Sequence, residues 1–131
     1  MFQWLRKKHA PLTGAPAVRR QKTYSAQSGY VYQYFYEGRR SMSPHRGTEY
    51  VFNVSADRKT SSPVSVFISD EAMANWQQES GRTLSTTEQY AIAKMALFQA
   101  FDEHETPEAL GTDVHVGPAD VHAILASLNI D

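Results

Sequence analysis

The chain has 131 residues, with 13 lysines and arginines, 14 aspartates and glutamates, and no cysteine. That length suits one domain with a modest core, and an apolar fraction of 41% with 11% aromatics excludes wholesale disorder. Without cysteine there is no disulfide framework, no thiolate zinc site and no cysteine nucleophile.

No apolar run approaches the roughly 18–20 residues needed to span a bilayer. The opening MFQWLRKKHA lacks the apolar segment of a secretory signal, so the expected location is cytoplasmic. The net charge of −1 conceals a strong asymmetry. From Met1 to Arg46, nine cations oppose the single carboxylate of Glu37, a net +8. From Gly47 to Asp131, four cations oppose thirteen carboxylates, a net −9. Such a split points to a basic segment that meets an acidic partner, or folds back on the acidic part of this chain or of a second copy.

Residues 1–28 read as a flexible basic arm. Pro11, Gly14 and Pro16 interrupt it, and no apolar period persists. Phe2, Trp4 and Leu5 ahead of Arg6-Lys7-Lys8-His9 have the order of an interfacial membrane anchor. One short segment binds a membrane weakly, and Phe at position 2 excludes N-myristoylation, so membrane association is not expected.

Gly29–Gly38 (GYVYQYFYEG) alternates with period two: Tyr30, Tyr32, Tyr34 and Tyr36 on one face, Val31, Gln33, Phe35 and Glu37 on the other. That is a strand signal. Arg39, Arg40, Ser41, Pro44, His45, Arg46 and Gly47 read as a basic loop. A second strand is predicted over Thr48–Ser55, with Tyr50, Phe52 and Val54 on one side, and a third over Val64–Ile68. Short connections between consecutive strands make an antiparallel meander.

Ser69 reads as a helix cap, with Asp70 and Glu71 in the first turn where the helix dipole favours negative charge. Met73 and Trp76 give this helix an apolar stripe that ends near Ser80-Gly81. Ser85-Thr86-Thr87-Glu88 has the spacing of a capping box. It opens the helix Ser85–His104, apolar on almost every side and therefore expected to be buried. Thr106-Pro107-Glu108 reads as another cap with Pro at the first helical position. Gly111–Gly117 break the pattern. Pro118–Leu128 then places Val121, Ile124, Leu125 and Leu128 on one helical face. The stretch from Glu49 to about His104 resembles small bacterial domains of unassigned role, in which a strand ending Ile-Ser, here Ile68-Ser69, runs directly into a helix. The resemblance implies a fold class only.

The predicted architecture is α+β: a three-stranded antiparallel meander followed by three helices packed on one sheet face, in a single domain over residues 29–131 behind the arm. The tyrosine stripe is the natural face to bury. The opposite face carries Phe35 and Phe67, with Arg39, Arg40 and Arg46 at its rim, a set able to stack bases and hold phosphates or to serve as an interface. Asp102-Glu103-His104, Asp113-Val114-His115 and Asp120-Val121-His122 repeat Asp-x-His. On a helix that spacing turns the two side chains about 200° apart, so they do not converge on one metal ion. No Gly-x-Ser-x-Gly and no phosphate-cradling glycine string occurs.

The expected function is a small non-enzymatic binding module. Arg19, Arg20, Lys22, Arg39, Arg40 and Arg46 would engage an acidic partner: a protein surface, nucleic acid or a second copy. One alternative is a nucleic-acid-binding domain that reads through the open sheet face, with Phe35 and Phe67 stacking. Another is a small enzyme or ligand binder using Tyr and His near the last helix. No catalytic residue, metal ligand or cofactor is assigned.

Overall fold

The computed structural model describes residues 10–42 and 46–130. The apolar tip Phe2, Trp4, Leu5 with its adjoining cations, and Pro44 and His45 of the basic loop, lie outside the described residues. Among the described residues there are five strands and four helices. They run β1 (Lys22–Ser25), β2 (Val31–Met42), β3 (Gly47–Ser55), β4 (Ser62–Ser69), α1 (Asp70–Ser80), α2 (Thr86–Glu103), α3 (Pro107–Leu110), β5 (Asp113–Val116) and α4 (Pro118–Ser127).

The strands lie side by side in sequence order. β1 to β4 form the antiparallel meander. β5 pairs parallel to β4, since the three intervening helices return the chain to the same end of the sheet. Mixed α+β character is thus as predicted, but the described residues form five strands and four helices where the sequence predicts three of each. The two extra strands are the four-residue pieces KTYS and DVHV. β1 lies inside the stretch read as the arm, and β5 inside the break between Gly111 and Gly117. Four residues are too few to display a period, and their pairing comes from the neighbouring strand edge.

The helix signals translate closely. The Ser69 hydroxyl accepts from the Ala72 N–H at the start of α1, and Gly81 closes it at φ +77. In α2 the capping box forms in both directions: Glu88 N–H donates to Ser85 Oγ (3.1 Å), and Ser85 N–H donates to Glu88 Oε1 (2.9 Å). Thr106 caps the one-turn α3, with Pro107 at its first position.

The core lies between the sheet and α2. Tyr32, Tyr34, Tyr50, Phe52, Val64, Val66 and Ile68 meet Ile92, Leu97 and Phe101, all 2% exposed or less. The Tyr32 ring stacks on Phe101 at 4.1 Å, Tyr34 meets Phe98 edge-on at 5.7 Å, and Tyr36 lies 4.7 Å from Tyr90. The tyrosine stripe is therefore packed against one helix, except Tyr30, which precedes β2 and is 40% exposed. Each large side chain buried here contributes about 1.5–3 kcal/mol of transfer free energy. Trp76, Val121, Ile124 and Leu125 extend the core under α1 and α4.

β2 is longer than predicted and runs on to Met42, so Arg39 and Arg40 are strand residues, not loop residues. A bulge makes this possible. Tyr36 pairs with Phe52 and Gly38 with Val51, leaving Glu37 as the extra residue. Gly38 takes φ +125, and a Cβ there would come within 2.8 Å of the Thr13 carbonyl oxygen. Beyond the bulge the alternation is reset. Arg39 pairs with Tyr50 and shares the helix side with Tyr34 and Tyr36, whereas Arg40 pairs with Glu49 on the opposite face.

Candidate functional site

The six predicted binding cations do not act as one patch. Arg19 forms a bidentate pair with Glu37 (Nε–Oε1 3.0 Å, Nη2–Oε2 2.9 Å), and its guanidinium lies 3.7 Å over the Phe35 ring. Arg40 pairs with Glu49 (2.9 Å), a carboxylate only 8% exposed that also accepts from Ser65 Oγ (2.6 Å). Arg40 Nη1 donates to the Ala10 carbonyl (3.2 Å). These two arginines hold the segment before β1 to the outer sheet face. Arg46 is exposed in the β2–β3 turn, where its carbonyl accepts from the Asp70 N–H (3.2 Å).

Arg20, Lys22 and Arg39 are brought together. They border a cavity of about 440 Å³ between the segment before β1, the helix side of β2 and the start of α2. Its other walls are Gly14, Pro16, Tyr34, Tyr36, Tyr90, Thr86 and Thr87. Each element reaches the cavity for a local reason. Lys22 pairs with Tyr34 in the β1–β2 ladder, which turns both to one side. The Glu37–Gly38 bulge turns Arg39 to that same side. Thr13 exchanges two backbone hydrogen bonds of 2.8 Å with Arg39, so Gly14 passes directly over the arginine. A Cβ at Gly14, whose φ is +79, would collide with the Arg39 guanidinium.

The electrostatics of this cavity are positive. None of Arg20, Lys22 and Arg39 forms an ion pair with a carboxylate among the described residues. Thr86 and Thr87 are the first two residues of an eighteen-residue helix. Their N–H groups are among those a helix leaves without an internal acceptor, at its positive end. The nearby Glu88 carboxylate is held by Arg82 (3.1 and 2.9 Å). That guanidinium, helped by the Ser85 N–H, pulls the Glu88 pKa down to about 2.

The tyrosines supply neutral hydroxyls. Burial pushes Tyr34 up to about 12 and raises Tyr36 and Tyr90, with the Arg39 guanidinium partly offsetting the rise at Tyr36. Tyr34 is 2% exposed. The Tyr36 hydroxyl is sealed from solvent and makes no bond of hydrogen-bonding geometry, although Arg39 is its neighbour.

The outer face does not present its aromatics as a shared platform. Phe35 lies beneath Arg19, and Phe67 is stacked on His115 at 5.0 Å, with β3 between the two strands that carry them. Asp102 and Asp120 lie on helices, whereas Asp113 and His115 share the exposed face of β5; among the described residues no group of three or more His, Asp or Glu is arranged to hold a metal. Asp102 is a tether instead: it accepts from the Tyr24 hydroxyl (2.7 Å) and the Gln27 N–H (2.9 Å) and ties β1 to α2. His122 lies 2.9 Å from Asn75 Oδ1 in an open groove of about 620 Å³ between α1 and α4, lined by Trp76, Glu79 and Ile130 and by no tyrosine.

The sequence does not single out Tyr34, Tyr36, Tyr90, Thr86 and Thr87 as site residues. The stripe and the capping box have sufficient structural explanations of their own. The usable signal was Gly38, because a glycine inside a strand pattern marks a bulge, and a bulge re-aims the side chains beyond it. No helix among the described residues is long and apolar enough to cross a membrane. Comparison with protein-family models, with curated proteins and with solved structures finds no match.

Proposed function

We propose that the chain is a binding module for an acidic partner, which docks where Arg20, Lys22 and Arg39 surround the cavity beside α2. One observation carries the reading: Arg20 and Lys22 from the chain entering β1 and Arg39 from β2 border one cavity, and no carboxylate among the described residues pairs with them. Placing like charges together costs folding free energy through repulsion, and a bound anion relieves it. Arg19 and Arg40 belong to a different role, since their guanidinium groups already have carboxylate partners. Arg46 adds exposed charge at the far end of the β2–β3 hairpin.

The test is fluorescence anisotropy of a labelled acidic peptide and a labelled oligonucleotide across a salt series. Affinity should fall along a straight log–log line with salt. Replacing Arg20, Lys22 and Arg39 by Gln should reduce both affinity and slope, and Arg46→Gln should leave most of the binding intact. Salt-independent binding, or equal loss from Arg46→Gln and from the triple substitution, would count against this site. The polyanion that binds more tightly at matched charge identifies the partner class.

A further inference from the structure

We infer that the cavity is a small-molecule site for a phosphate monoester carried on a flat apolar ring. This deepens the reading above and rests on it: the same cations that draw an acidic partner hold one compact anion inside the cavity.

The volume of about 440 Å³ lies within the roughly 300–1,000 Å³ of small-ligand pockets. The charge count selects the anion. Arg20, Lys22 and Arg39 supply three positive charges, and α2 adds the positive end of its dipole through Thr86 and Thr87. A lone carboxylate would leave at least two cations without an opposite charge. A phosphate monoester is close to dianionic at neutral pH and offers three acceptor oxygens, which suits a guanidinium, an ammonium and helix N–H groups together.

The helix start is not the sole evidence. Tyr36 borders the cavity, and its hydroxyl is buried without a hydrogen-bond partner in the protein. Unpartnered buried hydroxyls carry a desolvation cost that a ligand acceptor removes.

The remaining walls select the body of the ligand. Tyr36 and Tyr90 bring their rings to 4.7 Å and 51° of each other, and Pro16 closes another side. Aromatic and prolyl walls favour a flat apolar group over a sugar or a hydrated chain. Gly14 keeps the Arg39 guanidinium against the backbone at the rim, which fixes where the anion must sit.

The experiment is isothermal titration calorimetry on the full chain, with phenyl phosphate, adenosine monophosphate, phenol, adenosine and inorganic phosphate as probes. At least one aromatic phosphate should bind ten-fold or more tightly than inorganic phosphate and than its dephosphorylated counterpart. The better of the two tells a single-ring phosphate from a nucleotide. Arg39→Gln should weaken that binding ten-fold or more and Tyr90→Leu several-fold, whereas Arg46→Gln should not change it. Proton–nitrogen NMR shifts should centre on Gly14, Arg39, Thr86 and Thr87. Equal affinity for inorganic and aromatic phosphate, or shifts centred elsewhere, would overturn the inference. If the acidic peptide or oligonucleotide still binds with salt dependence while no aromatic phosphate does, the inference falls and the acidic-partner reading stands. If nothing binds, both fall.

Discussion

Asp102→Ala measures whether β1 belongs to the domain. The Asp102 carboxylate receives the Tyr24 hydroxyl at 2.7 Å and the Gln27 N–H at 2.9 Å, and β1 ends two residues before Gln27. The bond to Asp102 is the main cause of the raised pKa of Tyr24. Hydrogen bonds to a charged group contribute about 1.5–3 kcal/mol each when shielded from water. The Tyr24 bond is partly buried and the Gln27 bond is exposed, so the pair together is worth about 2–3 kcal/mol rather than twice the upper figure. Tyr24→Phe removes one bond, keeps the ring stacked on Phe98 at 4.2 Å, and should cost about 1 kcal/mol. Urea denaturation gives the totals. A cycle of the two single variants and the double gives the coupling, expected at about 1 kcal/mol. Native-state hydrogen exchange gives the location, because the β1–β2 amides should lose protection while β3 and β4 amides open only globally. A loss below about 0.5 kcal/mol with unchanged exchange at Lys22–Ser25 would refute the tether.

Other substitutions separate the remaining claims. Gly38→Ala places a side chain at φ +125 against the Thr13 carbonyl and should destabilise by about 2 kcal/mol in denaturant titrations, with release of the Thr13–Arg39 bridge amides from protection. Ser85→Ala should cost about 1 kcal/mol by loss of the α2 cap, whereas Ser80→Ala, exposed at the end of α1, should change stability by less than about 0.5 kcal/mol. Phe101→Ala removes a ring with no exposed surface and its stacking on Tyr32, and should cost about 3–5 kcal/mol in thermal or urea unfolding. Tyr34 and Tyr50 are both pushed up to about 12 by burial. A folded-state pKa above the free value leaves stability complete below pH 10 and erodes it as pH rises from 10 towards 12. Ultraviolet titration should therefore find Tyr34 and Tyr50 among the late-ionising phenols, with unfolding accompanying their ionisation.

The sequence by itself determined the elements whose signals are local. The Ser69 and Ser85 caps, the Glu88 partner and Gly81 mark helix ends because capping is settled within one turn of chain. The tyrosine alternation marks β2 because a strand repeats every two residues. The helix apolar all round, Thr86–Glu103, is the buried one because an apolar surface in water is costly wherever it points. Tertiary structure decided the rest. KTYS and DVHV become strands because β2 and β4 offer unpaired edges, a fact held by the neighbours and invisible in four residues. Gly38 and its bulge decide which arginine faces the helix, so Arg39 joins the tyrosines while Arg40 meets Glu49. The net +8 of the first forty-six residues is legible as a sum. Its division into guanidinium groups that hold the fold and cations that surround a cavity is not, because pairing depends on which carboxylates come within about 3 Å once the sheet has formed.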